Sequence, residues 1–240
     1  MTTRRRLLAT AGLTGVAGLA GCSSLGGGGG SGSGTGTPPA GAVSDAPLPE
    51  DPASFDYATA GTGETPVVTY FGNWKCPFCA DFSTGEADRA VLPLGTIVRD
   101  YVEPGDVSLR YRGLAYAGDG QPFLGPDAPR ATRAGLAVWT VDAEHYWDYH
   151  EHVMANQPPE DETWATTDRL VEFAREAGVE SPGNVRSAIE ADRFEDRIEA
   201  TTGAAGDAGV SGTPALLVDG SVHSPFEPER TRSALDSLVP

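Results

Sequence analysis

The junction at which Pro66-Val67-Val68-Thr69-Tyr70-Phe71 runs into Gly72-Asn73-Trp74-Lys75-Cys76-Pro77-Phe78-Cys79 constrains the fold more than any other feature of the sequence. The first run is short, apolar and rich in β-formers, with Gly63 before it and Gly72 after it, and reads as a buried strand. Proline is tolerated in the first turn of a helix, where its missing N–H would have had no partner, so Pro77 opens a helix. Two thiols therefore sit where a strand gives way to a helix.

A Cys-x-x-Cys pair has three readings. A structural zinc site needs four ligands. There is no second cysteine pair, and the histidines are His145, His150, His152 and His223. On a helix His145 and His152 share a face while His150 points away, a poor ligand set and a better fit to an aromatic, partly buried face. A bridge used only for structure would close so small a loop that it would remove little chain entropy. The third reading is redox use. A thiol at a helix start meets unpaired backbone N–H groups and the positive end of the helix dipole, which favour thiolate at Cys76. Thiolate is the attacking species in disulfide exchange, and Cys79, one turn in and shielded, can resolve a mixed disulfide. Lys75 is the one lysine beside sixteen arginines. Read as exposed, it is a minor tuner, because charges across water interact weakly and the Debye length at 1 M salt is only about 3 Å.

After the first helical tract, which runs towards Tyr101 with a break near Gly85 or Pro93, Glu103-Pro104-Gly105-Asp106 makes a turn and Val107 to Arg112 alternates as a half-buried strand does. Strand, helix, strand suggests a βαβ unit with a parallel sheet, hence an α/β fold. Gly113 to Pro129 is a loop. Helical periodicity follows over Arg130 to Val141, Glu144 to Asn156, Trp164 to Glu176 and Asn184 to about Gly206. Gly212-Thr213-Pro214 then leads into Ala215-Leu216-Leu217-Val218, a turn at Asp219-Gly220, and Ser221-Val222-His223, which reads as a hairpin. A last helix spans Glu227 to Leu238.

The N-terminal third has a different character. Paired arginines in Arg4-Arg5-Arg6 precede an apolar run from Leu7 to Ala20 that ends in Gly21-Cys22. The run is shorter than the ~20 residues a membrane span needs. It resembles a twin-arginine export signal over 1–21 with a lipoprotein cleavage site, implying lipid on Cys22 and anchorage to the outer face of the cell membrane. Residues 22–62 are rich in Gly, Ser, Thr, Pro and Ala and read as a disordered tether, with a reach of roughly 35 Å from the flexible-chain estimate. The formal net charge of −17 repels phosphates and argues against nucleic-acid binding. Acid excess with arginine in place of lysine resembles the proteins of salt-loving organisms.

Three features together carry a family resemblance: Trp74 to Cys79 after a strand; the aromatic-rich Tyr146-Trp147-Asp148-Tyr149-His150-Glu151-His152 with Asn156-Gln157; and Val210 to Gly220 around Thr213-Pro214. From about Gly63 to Pro240 the chain resembles the thioredoxin superfamily, specifically its DsbA-type branch. The resemblance implies a thioredoxin-like fold with an all-helical subdomain inserted at about 128–207. It also implies a protein thiol-disulfide oxidoreductase with a redox-active Cys76-Cys79 disulfide and no metal or organic cofactor. Thr213 and a cis Pro214 would lie against the sulfurs and present backbone groups to an extended client, in the manner of strand addition. Trp74 and Phe78 would form an apolar rim. The implied partners are exported, cysteine-containing client proteins and a membrane redox partner.

Two positions depart from the branch. Phe78 stands where the strongly oxidising bacterial DsbA has a histidine, and Tyr70 stands where related proteins often carry a buried carboxylate, with Asp81 and Glu86 as candidate substitutes. The direction of electron flow therefore stays open. Two alternatives stand beside the oxidase: a reductase for exported metal- or haem-protein cysteines, and a noncatalytic peptide- or metal-binding lipoprotein.

Overall fold

The computed structural model describes residues 43–240. The expected signal peptide and the lipid-bearing Cys22 lie outside the described residues. Among the described residues no helix is long and apolar enough to cross a membrane.

Five strands form one mixed sheet: β1 (Thr59–Ala60), β2 (Val67–Gly72), β3 (Ser108–Gly113), β4 (Ala215–Val218) and β5 (Ser221–His223), in the order β1-β3-β2-β4-β5. β2 and β3 are parallel, as the strand-helix-strand pattern predicts, with Tyr70 in register with Tyr111. β4 runs antiparallel to β2, setting Phe71 opposite Ala215, and β5 completes the expected hairpin. The β2–β3 crossover contains α1 (Pro77–Thr84), which stops at Gly85 in the left-handed conformation (φ 74°). It also contains α2 (Leu94–Ile97), extended by a wide turn over Val98–Val102. The tract expected to break near Gly85 or Pro93 is thus two helices, the first stopping at Gly85 and the second starting after Pro93.

Between β3 and β4 come α3 (Ala128–Val141), α4 (Tyr146–Ala155), α5 (Thr167–Glu176), α6 (Pro182–Glu190) and α7 (Glu195–Ala208), and α8 (Pro228–Asp236) follows the hairpin. The tract expected from Asn184 to Gly206 is broken between α6 and α7, where Asp192 and Phe194 have φ of 48° and 69°. Neither is glycine, so composition carries no sign of the break. Arg133 secures it by donating to the Arg193 carbonyl at 2.9 Å and pairing with Glu195.

Alternation along β2 divides the core. Val68 and Tyr70 face the main apolar mass with Phe82, Ile97, Trp74, Tyr111 and Trp147, whereas Phe71 joins Leu114, Ala205 and Ala215 on the other face.

One expectation is corrected here: the tether does not run to residue 62. Val43, Ala46 and Ala58 are buried, the Trp139 indole N–H donates to the Phe55 carbonyl at 2.8 Å, and β1 pairs with β3. The apolar residues of 43–62 are too sparse to build a core of their own, but Val43, Ala46, Leu48, Phe55, Ala58 and Ala60 dock on a surface the body already supplies.

Candidate active site

Asn73 shapes the loop that carries the thiols. Its side-chain amide donates to the carbonyls of Leu114 (2.8 Å) and Phe123 (2.9 Å), while its Oδ1 accepts from the Lys75 N–H at 2.8 Å. The loop closes with the Cys76 N–H on the Asn73 carbonyl at 3.1 Å. Cys76 then takes an extended conformation as the residue capping α1, Pro77 occupies the first turn, and the Cys79 N–H returns to the Cys76 carbonyl at 3.0 Å. This is the helix start that the sequence implies.

The structure holds the pair as two free thiols. Cys76 retains 3% exposure and Cys79 none, so Cys76 is the one a visitor can approach. Their acidities diverge. The Cys76 thiol is lowered to about 7, chiefly by a hydrogen bond from the Cys79 side chain. Burial works against this, and Thr213 and the N–H groups of Cys79 and Phe78 add to it. Cys79 is pushed well up, first by burial and then by its partner sulfur.

The Thr213-Pro214 peptide is cis, and the Cys76 Sγ–H donates to the Thr213 carbonyl at 3.4 Å. Alongside lies an open groove of about 380 Å³ lined by Phe78, Arg89, Thr213, Pro214, Phe226 and Arg230 among others. Phe78 is 41% exposed and its ring meets Phe226 edge-on with centroids 6.0 Å apart. The Arg89 guanidinium rests 4.6 Å from the Phe78 ring centroid and 5.2 Å from that of Phe226.

Two residues differ from expectation. Trp74 does not belong to the rim: it is 1% exposed, packed against Tyr111, Tyr146, Tyr149 and His150. It points inward because the Asn73 loop turns it beneath α3, where Gly135 leaves room: a Cβ there would come within 2.4 Å of the Trp74 ring. Lys75 is not a solvated charge. It is 1% exposed, with Nζ 2.6 Å from Asp127 Oδ1 and 2.9 Å from the Glu162 carbonyl. Burial pushes the Asp127 carboxyl up, but Lys75 and the Ala165 N–H more than offset this and hold it below its ordinary value. The Gln157 amide adds a bond to the Trp74 carbonyl at 2.9 Å. The loop that carries the two thiols is thus bolted to the helical insertion at two points.

Neither carboxylate proposed to serve Cys79 is among the groups that act most on it; Asp81 is raised by burial and lowered by Arg89, on the outer side of α1. The polar groups facing Cys79 are the Asn73 N–H, at 3.4 Å, and Tyr70. Asn73 and Asp127 had no signal of their own in the sequence. Of the histidines, His145 and His152 pair with Asp142 and Glu176, and His150 is fully buried among aromatic rings. Among the described residues no group of three or more His, Cys, Asp or Glu side chains is placed to hold a metal ion.

Residues 56–237 match the family model described as Thioredoxin. The chain belongs to the thioredoxin family. Among curated proteins it is similar to disulfide bond formation protein D of Bacillus subtilis (strain 168), 25% identical over 167 residues, covering 69% of each chain. The probable disulfide bond formation protein D of Bacillus cereus is 26% identical over 179 residues, 71% of this chain and 75% of that one. Among solved structures, oxidised BdbD from Bacillus subtilis superposes with a TM-score of 0.65 at 21% identity, covering 80% of this chain and 96% of that one. DsbA from Chlamydia trachomatis gives 0.60 at 21% identity, with 80% and 98% covered. The fold of this thioredoxin-family chain, with five helices set between β3 and β4, is therefore of the DsbA type.

Proposed function

We propose that this protein is an extracytoplasmic thiol-disulfide oxidoreductase that exchanges disulfides with exported client proteins through Cys76 and Cys79. The single observation behind this reading is the position of Cys76: a thiol lowered to about 7 at a helix start, bonded to Thr213 at the margin of an open groove. The names of the Bacillus relatives, disulfide bond formation protein D, agree with it.

In the oxidising direction a client thiolate attacks Cys76 Sγ of the internal disulfide. A client–Cys76 bond forms, the Cys76–Cys79 bond breaks, and its electron pair leaves on Cys79. A second client thiolate then attacks the client sulfur of the mixed disulfide and releases Cys76 as thiolate, so the client gains one disulfide and the protein holds two thiols. Pro214 and Thr213 flank the incoming chain, whose backbone pairs with Thr213, and Phe78, Phe226 and Arg89 take its side chains. A membrane redox partner reoxidises the pair, and lipid on Cys22 keeps the protein at the outer face of the membrane. The sulfurs carry the electrons, so no metal or organic cofactor takes part.

The test is refolding of a reduced client by Cys76→Ser. Loss of disulfide transfer is expected, and undiminished transfer overturns the assignment. A reductase on the same site is the second reading, favoured by Phe78, whose side chain has no group to donate to the Cys76 sulfur. A reduction potential near about −120 mV supports oxidase and one near about −270 mV supports reductase.

A further inference from the structure

Cys79 poses a problem that the site described so far does not solve. When Cys76 is attacked, Cys79 departs as a thiolate at a point with no exposure to solvent. A charge buried without partners is costly. Burial already opposes ionisation of Cys79, and its polar neighbours are Cys76, the Asn73 N–H and Tyr70. No lysine or arginine is among the groups that act most on it.

Tyr70 is fully buried, and its hydroxyl and that of Ser83 make no hydrogen bond in the dithiol state. Unpaired buried hydroxyls are rare and ask for a reason. The side chains that bear on the Tyr70 hydroxyl are Cys79, Tyr111 and Ser83. The ring is fixed in place by edge contacts with Phe82 and Tyr111, each with centroids 5.0 Å apart. Gly72 makes the approach possible, since a Cβ there would sit 2.9 Å from the Tyr70 oxygen and 2.8 Å from its Cζ. Catalytic hydrogen bonds are often loose at rest and tighten when charge develops.

We propose that the Tyr70 hydroxyl, together with the Asn73 N–H, receives the negative charge on Cys79 Sγ as the disulfide breaks, with Ser83 donating in turn to the Tyr70 oxygen. This rests on the functional reading above. The arrangement resembles an oxyanion hole built for sulfur: donors fixed in advance, buried from bulk solvent, beside the atom where charge appears. It needs no buried carboxylate, since Tyr70 supplies a hydrogen bond and keeps its proton.

The experiment follows thiolate attack on two forms of the protein, with reduced glutathione as nucleophile and glutathione mixed disulfide as the second target. In the first form the Cys76–Cys79 disulfide is attacked and Cys79 leaves. In the second, made with Cys79→Ser and isotope-labelled glutathione bound to Cys76, unlabelled glutathione attacks Cys76, the labelled glutathione thiolate leaves and is counted by mass spectrometry, and residue 79 takes no charge. Tyr70→Phe slows the first reaction at least tenfold and leaves the second within twofold. Tyr149→Phe, which removes another buried and equally unpaired hydroxyl on which burial alone acts, leaves both unchanged. Equal slowing of both reactions by Tyr70→Phe marks a merely structural role and overturns the proposal, as does an unchanged first rate. Should the unsubstituted protein fail to react with glutathione at all, the functional reading falls instead.

Discussion

Lys75→Met removes the ammonium and keeps the volume of the stem. It strands the Asp127 carboxylate, which is 1% exposed, with the Ala165 N–H at 2.8 Å on Oδ2 and nothing on Oδ1 to replace Nζ. Removing one member of a buried ion pair costs ~3–5 kcal/mol, because the survivor is left charged and unsolvated. Each kcal/mol is worth about 2–4 °C for a domain of this size, so the melting midpoint should fall by about 6–20 °C at neutral pH.

The double substitution Lys75→Met with Asp127→Asn separates the stranded charge from the lost contact. An amide oxygen still accepts from Ala165, no charge remains, and most of the loss should be recovered. The pH dependence follows from the direction of the shift. Asp127 is held below its ordinary value in the folded protein, so the stability it contributes is complete above about pH 4 and fades as the pH falls through the lowered value. In Lys75→Met burial is opposed only by the Ala165 and Asp127 N–H groups, the carboxyl rises, and acid relieves the variant. The gap between the two proteins, followed by circular dichroism on heating, should therefore be widest near pH 7 and narrow below about pH 4. A loss under about 1 kcal/mol at neutral pH, or a gap that does not change with pH, would refute the argument that a buried pair ties the redox loop to the insertion.

Two other outcomes follow from the geometry. Alkylation of the reduced protein with iodoacetamide, mapped by mass spectrometry, should modify Cys76 with a rate that rises through a midpoint near pH 7 and leave Cys79 unmodified until unfolding; a Cys76 midpoint above about 8.5, the value of an ordinary thiol, contradicts the site's electrostatics. Gly135→Ala drives a Cβ to 2.4 Å from Trp74 Cζ2, which should cost about 1–3 kcal/mol of stability. No change in the denaturation midpoint would mean that the ring is not pinned there.

How much of this was legible without coordinates depends on range. The βαβ unit, the hairpin after Pro214 and the start of α1 at Pro77 were written in local pattern: alternation, turn residues, a proline where a helix can bear one. What could not be read is whatever depends on partners far along the chain. Lys75 looks solvated until Asp127, fifty-two residues on, is folded against it. Trp74 beside a nucleophile looks like rim, and only its position beneath α3 makes it core. Residues 43–62 carry too few apolar side chains to signal a fold, yet Val43 and Ala58 find a ready surface. The break at Phe194 uses left-handed backbone at residues that rarely adopt it.

A chain of net charge −17 is a poor host for a thiolate, and the sole lysine beside the motif is engaged elsewhere. The acidity of Cys76 therefore has to come from groups within a few ångströms: the Cys79 S–H, Thr213, and the N–H groups at the head of α1. Such donors are fixed by the same turn that fixes the sulfurs, and short contacts out of bulk water are little screened by salt, whereas a surface field is lost beyond about 10 Å even at 0.1 M. The two sulfurs then part company by depth and by their own mutual hydrogen bond. Cys79, one turn further into the helix, loses solvent altogether and serves Cys76 as a donor while it stays protonated. The gradient from reactive to reserved thiol is thus a property of where the helix begins, and it survives whatever charge the rest of the surface carries.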